Sequence, residues 1–374
     1  MEIYVSIAAL DFFEGLSDPR QPGKILHPLR EILLLTLCAV ICGADSFVEI
    51  AHFGKLKLDF LRTLLPFANG VASHDTIGAV FSNLDPNEFR RCFIDWVRSI
   101  QNEIPGLVPI DGKTVRRSMN GKTRPIHIVS AWATEQNMVL GQVKTDEKSN
   151  EITAIPELLK LLSIKGALVS IDAMGCQKEI AQTIVDKEAD YLLSVKGNQQ
   201  NLRTEIDLLF QGAESSTLPV EVEEKKEIEK GHGRIETRIY SVCHDLALLS
   251  AAGEWKELKC IGKARCIREC GGKVSDETRY FISSRKLSAV EFGKAVRGHW
   301  SIENSLHWVM DIVFRDDDCR VRTKNAASNF VTIKHIALNM LKQPVRKASM
   351  RVRRKMAGWD DGFLKEVIGV TPEL

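Results

Sequence analysis

The chain has 374 residues, 44% of them hydrophobic and 27% charged, which is the composition of a folded globular protein longer than one average domain. A net charge of only +2 excludes a polycation that grips nucleic acid along its whole length, so any such surface must come from local clusters. Nine cysteines, several inside apolar runs (Cys38, Cys42, Cys92), suit free thiols in a reducing compartment, and Cys260, Cys266 and Cys270 lack the paired spacing of a zinc site. The strongest apolar stretch, 32–44, is too short to span a bilayer and no secretory leader is visible, so a cytoplasmic protein without a membrane partner is expected.

Residues 1–103 read as a helical N-terminal domain. A short helix and turn over 12–20 precede a core helix over 32–41. Helical spacing continues over 47–60, 67–83 and 88–100, with Ser73 to Thr76 as a start signal and Phe89, Phe93, Trp96 and Val97 on one face. The helices fit a DNA reader of the helix-turn-helix type or a plain support.

From residue 107 the pattern changes. Leu-Val-Pro-Ile-Asp at 107–111 is an apolar run that delivers one carboxylate and breaks at Gly112, as a buried strand does at its end. A basic loop follows, with Lys113, Arg116, Arg117, Lys122 and Arg124. Strands over 126–133 and 138–143 form a hairpin, and a helix over 152–162 has Asn150 as its cap. Residues 167–171 repeat the first pattern and end at Asp172. A helix over 177–189 and a strand over 191–195 lead to Lys196, Asn198 and Gln199. The order β-β-β-α-β-α-β gives a mixed sheet covered by helices, with the first and fourth strands adjacent and Asp111 and Asp172 at the same end. That is an α/β, ribonuclease-H-like arrangement, whose first part spans 104–199.

Residues 200–285 read as a β-rich insertion. The charge run 221–230 is expected to be a solvated segment, and 234–242, 260–269 and 277–283 carry strand-formers. Residues 286–374 complete the core. If 289–314 is one helix, Phe292, Val296, Met310 and Phe314 fall within about 20° of Glu303, whereas Asp311 lies about 80° away. Glu303 then sits in an apolar stripe, where a carboxylate needs a metal ion or a partner such as Arg297. Asp316 to Asp318 read as a solvated turn. No Ser or Cys partner is visible for His127, His232, His299 or His307, so covalent catalysis is not expected.

Several motifs have a known likeness. Ile-Asp-Gly-Lys-Thr at 110–114, the run 144–158, Asp-Ala-Met-Gly-Cys-Gln-Lys at 172–178, Val-Lys-Gly-Asn-Gln at 195–199 and His-Trp-Ser-Ile-Glu-Asn-Ser-Leu-His-Trp at 299–308 resemble the H-repeat-associated (Rhs-linked) group of insertion-sequence transposases, in the DDE superfamily. The likeness covers nearly the whole chain. It implies a ribonuclease-H-like catalytic core, a catalytic and metal-binding triad of Asp111, Asp172 and Glu303, and a β-rich insertion between the second and third acids. Many relatives carry Tyr and Arg before the glutamate and Lys after it. Here those offsets hold Val296, His299 and Met310, so Arg297, His299 and Trp300 are expected to take over part of the grip on DNA. For Trp300, core packing is the alternative role.

The chemistry implied is attack of water, then of a 3′-hydroxyl, on a phosphodiester, aided by two Mg²⁺ ions for which Mn²⁺ substitutes. The partner is double-stranded DNA, bound by a homodimer or higher oligomer. Lys113, Arg116 and Arg117, then Lys196, Asn198 and Gln199, and a C-terminal cluster of Arg346, Lys347, Arg351, Arg353, Arg354 and Lys355 are the expected phosphate contacts. A nuclease of the same fold without strand transfer, and a non-catalytic DNA-binding remnant, are the alternatives.

Overall fold

The computed structural model describes residues 7–370 apart from 102, 120–123, 146–150, 232 and 344–346, so Lys122, Asn150, His232 and Arg346 lie outside the described residues. The chain opens with α1 (Ala8–Asp11), α2 (Leu29–Ile41), α3 (Phe47–Leu56), α4 (Leu58–Arg62), α5 (His74–Asn83) and α6 (Pro86–Ile100). Every residue from Glu31 to Ile41 is buried, so α2 is apolar all round because it runs through the core. Ser46, Ser73 and Asp85 accept backbone N–H groups at the starts of α3, α5 and α6. The helix expected over 67–83 begins only at His74. Phe67 and Gly70 both take positive φ, and the Phe67 N–H donates to the buried Glu31 carboxylate at 2.7 Å, which turns the chain before the Ser73 cap.

The sheet comprises β1 (Leu107–Thr114), β2 (His127–Ala133), β3 (Met138–Lys144), β4 (Leu168–Ile171), β5 (Asp190–Val195), β6 (Val222–Gly231), β7 (Arg234–Cys243), β8 (Cys260–Cys270) and β9 (Lys273–Ser283). Between them come α7 (Glu151–Leu161), α8 (Lys178–Asp186) and α9 (Gln200–Glu214). The nine strands run β3-β2-β1-β4-β5-β9-β8-β7-β6. β1, β4 and β5 are parallel, and β2 and β3 form the antiparallel meander. This is the ribonuclease-H-like order, extended beyond β5 by four antiparallel strands. Ile110 pairs with Ile171, so Asp111 and Asp172 leave the same end of adjacent strands.

One expectation needs correcting here and one refining. β1 does not break at Gly112 but continues to Thr114, because β2 supplies partners beyond the end of β4. The charge run at 221–230 is solvated, as expected, but as a regular strand: β6 is paired along its whole length with β7. Glu229 meets the cross-strand Arg238 at 2.7 Å, and β6 itself is exposed along nearly its whole length, so it carries no apolar alternation.

After the sheet come α10 (Ala289–His299), a π turn over Glu303–His307, α11 (Trp308–Ile312), α12 (Ala326–Lys342), α13 (Met350–Trp359) and α14 (Asp361–Val367). Ser288 and Glu291 form a capping box at the start of α10. The helix expected over 289–314 is thus interrupted, first at Trp300 and then by the wider π turn.

Candidate active site

Asp111, within β1 where its pairing with β4 ends, and Asp172, just past the end of β4, reach one cavity of about 300 Å³, and Glu303 reaches it from the π turn. The Gly112 N–H donates to Asp111 at 2.9 Å, and the Met174 N–H donates to Asp172 at 3.0 Å, closing the turn over Ala173–Gly175. Glu303 is not embedded in an apolar stripe: its side chain is 59% exposed, against 28% for Asp111. The breaks at Trp300 and in the π turn shift the register on which the stripe was drawn.

His307 lies buried between the acids. Its Nδ1 stands 2.8 Å from Glu303 Oε2 and 3.6 Å from Asp111 Oδ2, and its Nε2 is buried without a partner. Among the described residues, the one group of carboxylate, imidazole or thiolate donors close enough to hold a metal ion is Asp111, Glu303 and His307, whose ligand atoms lie within 4.8 Å of one another. Asp172 stands outside this tight group while lining the same cavity. Burial pushes the Asp111 carboxyl up to about 7; the Gly112 N–H opposes this, and the charges of Glu151, Glu303 and Asp172 add to it. A carboxyl driven to keep its proton beside a second carboxylate and an imidazole is a donor set that fits a divalent cation. His307 was missed from sequence; its signal was its place four residues after Glu303.

Residues 104–340 match the family described as "Transposase DDE domain", and residues 10–97 match the one described as "DDE_Tnp_1-associated". The "H repeat-associated putative transposase YhhI" of Escherichia coli (strain K12) is 43% identical over 363 residues, 94% of this chain and 95% of that protein. The chain belongs to the H repeat-associated group of DDE transposases. "Putative transposase YncI" of Escherichia coli O157:H7 is likewise 43% identical, over 98% of this chain and 95% of its own length. A cryo-EM structure of a piggyBac transposase synaptic complex with hairpin DNA aligns with a TM-score of 0.42 at 12% identity, covering 98% of this chain and 77% of that one. Membership makes this a DNA-binding, DNA-cutting transposase that uses a divalent metal. No helix among the described residues is long and apolar enough to cross a membrane.

The basic residues of the transposase divide sharply by exposure. The Lys113 side chain is only 14% exposed; it is paired with Asp311 and lies 3.6 Å from Asp316. Asp311 is therefore occupied away from the acid cavity. Arg116 lies 3.5 Å from Asp317 and Arg117 3.4 Å from Asp318, both exposed. The turn over Asp316–Asp318 is not simply solvated, because Asp316 is buried and bonded to Lys334 at 2.8 Å. Lys196 lines the cavity. Asn198 and Gln199 donate their amides to Ala173 and Cys176, bracing the turn that carries Asp172. Arg297 pairs with Glu227 and Glu229 of β6 and not with Glu303.

His299 does have a serine partner, Ser170 Oγ at 2.9 Å, but that serine is buried within β4. Burial lowers the His299 pKa, while Asp172 opposes the shift. Trp300 is not core packing: it is 48% exposed at the cavity, with the Arg279 guanidinium 4.9 Å above its ring. In the C-terminal cluster Arg354 is buried, bonded to the Val40 and Val313 carbonyls, and Arg353 bonds Leu341 and Ala348; Lys347, Arg351 and Lys355 are exposed.

Proposed function

We propose that this transposase cleaves DNA at the ends of an insertion sequence and joins those ends to a target, with Asp111, Asp172 and Glu303 as its catalytic, metal-binding acids. The observation that carries the reading is the cluster of Asp111, Glu303 and His307 in the cavity that Asp172 also lines. Asp111, Asp172 and Glu303 would hold Mg²⁺ or Mn²⁺, as a pair of ions, which would activate the attacking oxygen and stabilise charge on the leaving one. Asp111, which burial drives toward its protonated form, would give up that proton to a bound ion. His307 holds Glu303 by its Nδ1–H and keeps it turned toward Asp111. Lys196 and the exposed Arg116 and Arg117 face phosphate, and Trp300 offers a stacking surface at the cavity mouth. The substrate is double-stranded DNA, engaged by a dimer or larger assembly in the cytoplasm. Residues 1–103, 104–199, 200–285 and 286–374 serve as helical support, first core segment, β-rich insertion and core completion.

The test uses a duplex carrying an element end. Asp172→Asn should abolish cleavage while binding stays within a few-fold of wild type. Cleavage at the wild-type rate by that variant would sink the assignment. Strand joining is scored in the same reaction with target DNA, and cleavage without joining would leave a nuclease. Independently of activity, Mn²⁺ should raise the melting temperature of the wild type more than that of Glu303→Gln.

A further inference from the structure

A second groove lies between the N-terminal helices and the segment that follows the acidic turn, with a volume of about 580 Å³. One wall is the first turn of α3 and of α5, including Ser46 and His74; the other is 320–324, with Arg320, Arg322 and Lys324. Those three cations are exposed. Arg322 donates to the Arg117 carbonyl at 2.8 Å and Lys324 to Asn83 at 2.9 Å, so both are fastened in place without meeting a carboxylate. Arg320 has no ion-pair partner among the described residues. Of the two acids in the groove, Asp45 lies 3.5 Å from Arg354, which leaves the three cations against the single exposed carboxylate of Asp75. The remaining charge is positive, and the helix starts on the facing wall add N–H groups without intrahelical acceptors.

The groove is continuous with the exposed Arg116 and Arg117 through the Arg322 contact. Arg116 stands five residues after Asp111, so the basic surface begins at most about 18 Å from the acid cavity. Its pairs with Asp317 and Asp318 are long and exposed, and such pairs exchange readily for phosphate. We infer that this groove holds the phosphate backbone of duplex DNA flanking the cleaved bond, so that the N-terminal helices grip substrate outside the acid cavity. This rests on the DNA-cleavage reading above and adds a second contact to it.

The experiment compares element-end duplexes that stop near the scissile phosphate with ones extended by about 10 base pairs, one helical turn, on either side. The wild type should bind one of the extended duplexes at least ten-fold tighter. Its log–log salt dependence should steepen by roughly 0.9 for each added phosphate contact. Arg320→Gln should lose part of that gain, and Arg320→Gln with Lys324→Gln most of it, while cleavage of the short duplex stays unchanged. Arg320→Gln touches no internal partner, so it separates a lost DNA contact from a folding defect. Retention of the full gain and slope by both variants would overturn the inference, as would an equal gain from a single-stranded extension. Failure of the wild type to cleave any duplex would instead overturn the cleavage reading.

Discussion

Burial sets the chemistry of Asp111 before any ion arrives. Its carboxyl titrates near 3.8 in the unfolded chain and at about 7 in the fold. Between those values the folded protein binds more protons than the unfolded one, so metal-free stability falls as pH rises from about 4 through about 7 and then levels. At roughly 1.4 kcal/mol per pH unit, the loss is at most about 4 kcal/mol. Asp111→Asn should therefore melt higher than wild type at pH 8 in chelator, with the difference vanishing near pH 4. Identical pH profiles for the two proteins would show that Asp111 titrates normally. His307 acts through Glu303, so His307→Ala should raise the Mn²⁺ concentration for half-maximal cleavage by about 10–100-fold while DNA binding holds. An unchanged metal requirement would leave His307 a packing residue. At this scale, Asp111 and Asp172 were legible because each ends an apolar strand run. His307 was not, because a histidine on an apolar helix face reads equally as core. Nor could sequence show that Lys113 is spent on Asp311, since that pairing joins residues far apart in the chain.

The elements were legible wherever one face is buried. The Ser73 cap and the meander followed by β4 and β5 announce themselves through spacing and turn chemistry, whereas β6 does not, because its mostly exposed, charged residues leave no apolar alternation to read. The helix carrying Glu303 was legible as a helix and not as a broken one, because nothing in a one-dimensional pattern marks the widened π turn. Its approach to the sheet depends on Gly262 of β8. A Cβ there would come within 2.5 Å of the Phe292 ring, which is fully buried in α10. Gly262→Ala must push that ring and the helix outward, costing about 1–3 kcal/mol. Because α10 leads directly into the turn bearing Glu303 and His307, cleavage should fall by more than the lost stability explains. Denaturant melts read beside single-turnover rates separate the two effects. A variant equally stable and equally active would mean that the ring relaxes within its pocket.

Across the whole molecule, the two matched segments share one core. α12 is buried from Ala326 to Leu341 and lies between the N-terminal helices and the sheet. On one side Asn329 donates to the carbonyls of Phe81 and Leu84, at the end of α5. On the other, Asn339 both accepts from and donates to the Val139 backbone of β3, each at 2.8 Å, and Gln142 donates to Thr332. The buried Arg354 ties Val40 of α2 to Val313, beyond α11. A helical support that could be removed would not be bonded this way, because cutting it off exposes the apolar face of α12 and strands buried amides. The chain should therefore unfold in urea as one cooperative unit, with far-UV circular dichroism and tryptophan fluorescence giving the same midpoint and slope. Residues 104–370 expressed alone should fail to give a sharp transition. Two resolved transitions, or a truncated chain that melts cooperatively and still cleaves DNA, would show that the N-terminal helices are an appendage.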